Sequence, residues 1–338
     1  MASDLALAGV GAGMVRFVRP GWRWAPTVTF GVLFWLPTVV MNGAVWAQCD
    51  SLYAAAGLAA VLYLMKGRPG LASAWLGVSF ALKLQAIFLL PVLVGVVLVN
   101  RHRLRSLLWA PVSFLACLVP ALLAGRGLVS QLMVYPAQIL DPAGTGVTVG
   151  GGAGAGGPGG RPGGVPGGAG APGGGTGGFT LNDGQSFTHN APTPYAWLSA
   201  NAPVGWKYAG LALTALVVLG FGVWLLRRRR PLDAGQILLV AATASLLIPM
   251  LLPEMHERYL YLAEVLCVVA AVLDGRFLLV AVAIQLASVT TYLAYLLDQR
   301  SIPLPLAAAI AVPAAVAAGV LLVRELSPLP HRTRRSHV

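Results

Sequence analysis

Apolar residues run along this chain in long blocks, separated by short polar or charged breaks. Blocks of roughly 15–22 residues recur over almost the whole length, the signal of helices that cross a bilayer of about 30 Å. The pattern predicts about eleven helical spans, at 3–18, 24–41, 51–65, 70–84, 86–99, 106–124, 206–226, 235–252, 259–273, 277–297 and 303–323. Several are short for a full crossing, so some are tilted, broken or merged. The predicted fold class is all-α: a polytopic transmembrane helix bundle, one domain over 1–338.

Composition supports this. Of 338 residues, 57% are hydrophobic and only 10% charged, against about a quarter charged in soluble domains. The formal net charge of +12 would point to nucleic acid in a soluble protein. Here the basic residues cluster between apolar blocks, so orientation in a membrane accounts for them and no nucleic-acid partner is expected. Alternating the sides puts 17 of the 23 Lys and Arg residues on one face, among them Arg16, Lys66, Arg101, Arg103, Arg105 and Arg227–Arg230. That face is assigned to the cytoplasm. The expected localisation is a multi-pass cell-membrane protein with a cytoplasmic C-terminus. Eleven spans then put the N-terminus outside, which asks for a missing first span and an N-terminally shortened chain.

Under this topology the chemically loaded segments share the extracytoplasmic face: 46–53, the outer segment 125–205, 253–261 and 298–300. The outer segment holds a low-complexity block, with 20 of the 41 glycines between Gly144 and Gly178. Residues 143–179 bury too little apolar surface to offset ordering entropy and are expected to be a disordered Gly/Pro-rich insert. Collagen is excluded because glycine lacks a strict three-residue period. A phosphate loop is excluded because no Gly-Lys-Ser/Thr follows. After the insert, FTHNAPTPYAWLSAN (187–201) regains aromatics and turn residues.

Three stretches carry candidate chemistry. WAQCDSLY (46–53) offers Asp50 beside Gln48, flanked by Trp46 and Tyr53. Asp50 or Ser51 can cap the following helix; alternatively Asp50 is a carboxylate for gripping or activating a sugar hydroxyl. Lys83 and Gln85 interrupt SFALKLQAIFLLP (79–91). The lysine either snorkels to an interface or supplies a cation for a lipid-linked phosphate. PEMHERYLY (253–261) packs Glu254, His256, Glu257 and Arg258 between two apolar blocks. It is a surface loop with a Glu257–Arg258 pair, or a site with carboxylates for acid–base work and an arginine for phosphate. HERYL departs from the zinc motif HEXXH because Leu260 stands at its fifth position, and no metal or other cofactor is expected. The three cysteines, Cys49, Cys117 and Cys267, show no ligand spacing; Cys117 and Cys267 are expected to pack inside spans.

NGAVWAQCDSLYAA (42–55), SFALKLQAIFLLP (79–91), TLNDGQSFTHNAPTPYAWL (180–198) and PEMHERYLYLAEV (253–265) together resemble the bacterial relatives of the eukaryotic mannosyltransferase that adds the second mannose of GPI anchors. These are polytopic glycosyltransferases of the GT-C class. The family usually carries Gly where this chain has Ala47. The resemblance implies an outward-facing site that moves a sugar, often mannose, from a polyprenyl-phosphate donor to a hydroxyl of a lipid or glycan acceptor, with inversion. It implies Asp50, Glu254 and Glu257 as catalytic candidates. Gln48, Lys83, Gln85, Asn190, His256, Arg258 and Tyr259 are the substrate-binding candidates, and membrane lipids are the surroundings. The class places a catalytic Asp in a first outer loop that has no counterpart here, and Asp4 is expected to lie within a helix. Two other readings stand beside this one: an inactive or degenerate membrane paralogue, and a lipid or solute transporter. A transporter would show repeated halves, and no internal repeat is visible.

Overall fold

The computed structural model describes residues 1–136, 187–199, 202–297 and 302–327. The predicted insert 143–179 and the segment 298–300 lie outside the described residues. Two compact units divide the chain: Met1–Val119 with Gly184–Val338, and Pro120–Asp183.

Within the first unit, every block predicted as a span is helical. The helices are α1 (Ala2–Val18), α2 (Ala25–Phe34), α3 (Pro37–Val40), α4 (Asp50–Met65), α5 (Pro69–Leu82), α6 (Leu90–Val99) and α7 (Trp109–Leu123), the last crossing into the second unit. In the second unit α8 (Leu128–Leu132) is a short turn, where Gln131 Nε2 donates to the carbonyl of Arg126 at 3.1 Å. The first unit continues with β1 (Thr188–His189), α9 (Gly205–Arg228), α10 (Ala234–Leu251), β2 (Met255–His256), α11 (Tyr261–Leu273), α12 (Leu278–Leu297) and α13 (Leu304–Leu326).

Five helical segments among the described residues are long and apolar enough to cross a membrane: Leu104–Leu123, Gly205–Arg228, Ala234–Leu251, Gly275–Leu297 and Leu304–Leu326. A sixth crossing arises if α2 and α3 count as one bent span. That pair corresponds to the block 24–41, and it is broken rather than continuous. Pro37 has no N–H to donate into a preceding turn, and it pushes Leu36 to an extended ψ of 129°. The two pieces meet at 45°. Beyond Val40 the chain widens into a π-turn over Met41–Val45, which brings Asn42 into the protein interior.

Burial sorts the helices. α4 and α11 are apolar on nearly all sides and form the centre, with Leu58, Val61, Val265, Leu266 and Cys267 almost fully enclosed. In contrast, only 6% of the most apolar stretch of Leu104–Leu123 is covered by protein, and Cys117 is exposed on it rather than packed. Leu216, Leu219 and Leu279 stand out at 69%, 67% and 80% exposure. Apolar surface on that scale belongs in lipid. Small residues let helices approach closely: a Cβ on Gly77 would sit 2.1 Å from the carbonyl oxygen of Ala110, so α5 and α7 touch backbone to backbone.

Candidate active site

Asp50 opens α4, yet its side chain does not cap that helix. Instead Asn42 Nδ2 donates to its Oδ2 at 3.1 Å, and Lys83 Nζ donates to its Oδ1. The carboxylate is 1% exposed. Nor does Ser51 cap: its hydroxyl donates to Asp4 Oδ1 and lies 2.6 Å from the Tyr261 hydroxyl. Asp4 lies within α1, buried, and so meets the residue next to Asp50.

Lys83 reaches Asp50 because α5 ends there. Its backbone turns extended (φ −158°, ψ 135°), and the Ser79 hydroxyl ties the last turn of α5 to the carbonyl of Tyr53 at 2.7 Å. The ammonium sits 5.4 Å from the centre of the Tyr53 ring, so it points inward rather than out to an interface. A 3₁₀ turn over Leu84–Leu89 follows and buries Gln85, whose amide reaches Tyr259.

The segment 253–261 is not a surface loop. Met255–His256 pairs in parallel with Thr188–His189, and Asn190 bridges back to His256. The His189 and His256 rings stack with centroids 4.7 Å apart. Burial, aided by His189, Arg258 and Lys83, holds the His256 imidazole down to about 3. Glu257 is 2% exposed. Burial pushes its carboxyl up to about 7, against a backbone hydrogen bond and the cations Arg258 and Lys83, while Asp50 adds to the rise. Arg258 lies over Trp46 at 5.5 Å, and Trp46 in turn packs on Tyr295 at 4.6 Å. Asp50, Lys83, His256, Glu257, Arg258 and Tyr259 therefore converge, with Gln85 beside them.

Three candidates sit differently. Glu254 is wholly buried against Lys207, which lies 5.7 Å from the Phe187 ring. Asn190 donates through Nδ2 to the carbonyl of Thr291 at 2.8 Å, tying the post-insert segment to α12. Gln48 is half-buried, and its backbone N–H donates to the carbonyl of Asn42. Sequence reasoning missed Asn42, His189, Lys207 and the Asp4–Ser51–Tyr261 contact. The signal for Asn42 and Lys207 was a polar side chain at the edge of an apolar block. Among the described residues, no group of three or more His, Cys, Asp or Glu could hold a metal ion.

Residues 1–145, which include the first half of this site from Asn42 to Gln85, match the model of glycosyltransferase family 87. That match supports a membrane glycosyltransferase. It takes in Asp50 and Lys83 but not the segment 253–261 that completes the cluster. A search of curated proteins finds no match.

Proposed function

We propose that this chain is a GT-C-type glycosyltransferase that moves a sugar, mannose foremost, from a polyprenyl-phosphate donor to a hydroxyl acceptor on a lipid or glycan. On this reading about eleven helices surround a site on the extracytoplasmic face and the C-terminus is cytoplasmic. The reaction inverts the anomeric carbon in one displacement: the acceptor oxygen forms the new bond, the donor phosphate leaves with the old bond's electron pair, and a base takes the hydroxyl proton.

The observation that carries the reading is the cluster itself. Lys83 and Arg258 are two cations beside a buried carboxylate and a second carboxyl that titrates near neutrality. The cations suit a departing phosphate, whose charge grows in the transition state. Glu257, pushed up to about 7, is tuned as a base for neutral pH better than Asp50, whose oxygens are both engaged. We assign Asp50 to orienting Lys83. Gln85, His256 and Tyr259 line the sugar's surroundings. Glu254, held by Lys207, and Asn190, held by Thr291, position their segments.

An apolar groove supports a lipid-linked donor. A cavity of about 250 Å³ opens between α6, α9, α10 and α13, walled by Val92, Val218, Ala244 and Ile248. Val218, Ala244 and Ile248 belong to the same small hydrophobic cluster as Met255 and Tyr259.

The test is transfer by membranes holding the protein, given radiolabelled polyprenyl-phosphate mannose and assayed for labelled product. Transfer abolished by K83A/R258A supports the reading; full transfer by that variant refutes it. Transport of the intact lipid-linked sugar without cleavage would favour the transporter reading instead.

A further inference from the structure

At the other end of α5 from Lys83, roughly 20 Å away at 1.5 Å per residue, a separate pocket opens between Pro69 and the start of α7. It encloses about 770 Å³ and is lined by His102, Arg103, Arg105, Ser106, Trp109 and Val112 among others. Arg103 and Arg105 are exposed around it, and no carboxylate among the described residues lines it. Ser106 is 9% exposed, and its hydroxyl has no hydrogen-bond partner among the described residues. A buried hydroxyl without a partner costs on the order of 1–3 kcal/mol, and Ser106 stands in the wall of this pocket.

The opposite wall is apolar and faces outward. Trp109 is 55% exposed, Leu108 63% and Val112 51%, and they begin the apolar span Leu104–Leu123. The Trp109 indole is seated against α5, 3.3 Å from where a Cβ on Gly70 would stand. Cations and a free hydroxyl on one side, with an exposed apolar span and an interfacial tryptophan on the other, match the two halves of an acidic phospholipid. A phosphate oxyanion is the shared chemistry; the apolar wall selects the lipid over free phosphate.

We infer that the pocket of Arg103, Arg105 and Ser106 binds the headgroup of an anionic phospholipid, at the membrane face opposite the glycosyl-transfer site. On the orientation proposed above this is the cytoplasmic leaflet, where acidic lipids attract juxtamembrane arginines.

The experiment is native mass spectrometry of the full chain in detergent, titrated with phosphatidylglycerol, phosphatidylcholine or inorganic phosphate. Phosphatidylglycerol is expected to bind in preference to phosphatidylcholine. An arginine near an acidic headgroup contributes roughly fivefold in affinity, so R103A/R105A should weaken binding about 25-fold. S106A, which removes only the hydroxyl, should weaken it about threefold to tenfold. R229A/R230A, outside the pocket, should leave it within about twofold. Equal loss from R229A/R230A would overturn the site in favour of general charge attraction. Unchanged binding by both R103A/R105A and S106A would overturn it outright, and displacement by inorganic phosphate would overturn the lipid assignment. Should R103A/R105A unfold, S106A alone decides: weakened binding upholds the site and unchanged binding overturns it.

Discussion

Lys207 and Glu254 meet as an ion pair with both side chains 0% exposed. The pair joins the first turn of α9 to the residue just before β2, where Glu254 adopts φ +59° and its N–H donates to the carbonyl of Phe187 at 2.8 Å. Three elements distant in sequence are thereby held in one register: the post-insert segment, α9 and the segment carrying Glu257 and Arg258.

Removing one partner strands the other charge in a dry interior. We expect K207M to destabilise the protein by about 3–5 kcal/mol and to lower transfer as well, through displacement of residues 253–261. The double variant K207M/E254L should be more stable than K207M alone, since it strands no charge. Thermal unfolding of the wild type and both variants in detergent reads both effects. Should K207M prove as stable as wild type, the latch has no energetic role.

This latch marks the limit of what the sequence reveals. The helices were legible because all-round apolar blocks in a chain only 10% charged leave few alternatives. Asp50, Lys83 and Arg258 come together in the structure, and the charge bias assigns their segments to one side. The pairings within that side were not legible. Asn42 reaches Asp50 through a π-turn that no periodicity announces. His189 finds His256 through a parallel pairing only two residues long, too short to leave an alternation pattern. Glu254 looked like acid–base machinery beside Glu257, and only three-dimensional packing separates the one bound to Lys207 from the one poised near neutrality.

The Asp50–Lys83 contact predicts a division of labour. K83A removes a cation from the departing phosphate and leaves Asp50 with Asn42 alone, so transfer should fall about 100- to 1,000-fold. D50N keeps the shape and the contact with Asn42 but loses the charge that orients Lys83; it should fall less, about 10- to 100-fold. Initial rates at saturating donor distinguish the two. If D50N falls further than K83A, Asp50 is the base and Glu257 is not.

Glu257 sets the expected pH dependence. With its carboxyl pushed up to about 7, the rate should rise through that value as the base ionises, and E257Q should lose the limb along with most activity. Stability runs the other way for this group. The folded state holds the proton more tightly than the unfolded chain, so its contribution is full below about 4.5 and lost as pH rises towards 7. His256 has the opposite sign: held down to about 3, it favours the fold above about 6.5 and loses that contribution on acidification. E257Q should therefore gain stability relative to wild type as pH rises from about 4.5 to about 7, while H256F should flatten the acid side, below about 6.5. Unfolding midpoints across that range decide both.

Ala47 carries the last prediction. It sits between Trp46 and Gln48 at φ +56°, a left-handed conformation that a Cβ disfavours by about 1–2 kcal/mol. Glycine adopts such a backbone without that cost. The turn must reverse sharply so that the Gln48 N–H can reach the carbonyl of Asn42 at 2.9 Å, which fixes Asn42 against Asp50. Glycine removes the clash but adds about 0.4–1 kcal/mol of unfolded-chain entropy. The balance favours A47G by about 0.5 kcal/mol, a small rise in unfolding temperature with transfer retained. A β-branched side chain tolerates this conformation worse, so A47V should destabilise by more than about 2 kcal/mol and release Asn42 from Asp50. If A47V unfolds at the same temperature as wild type, the turn is not held as described and the placement of Asn42 against Asp50 falls with it.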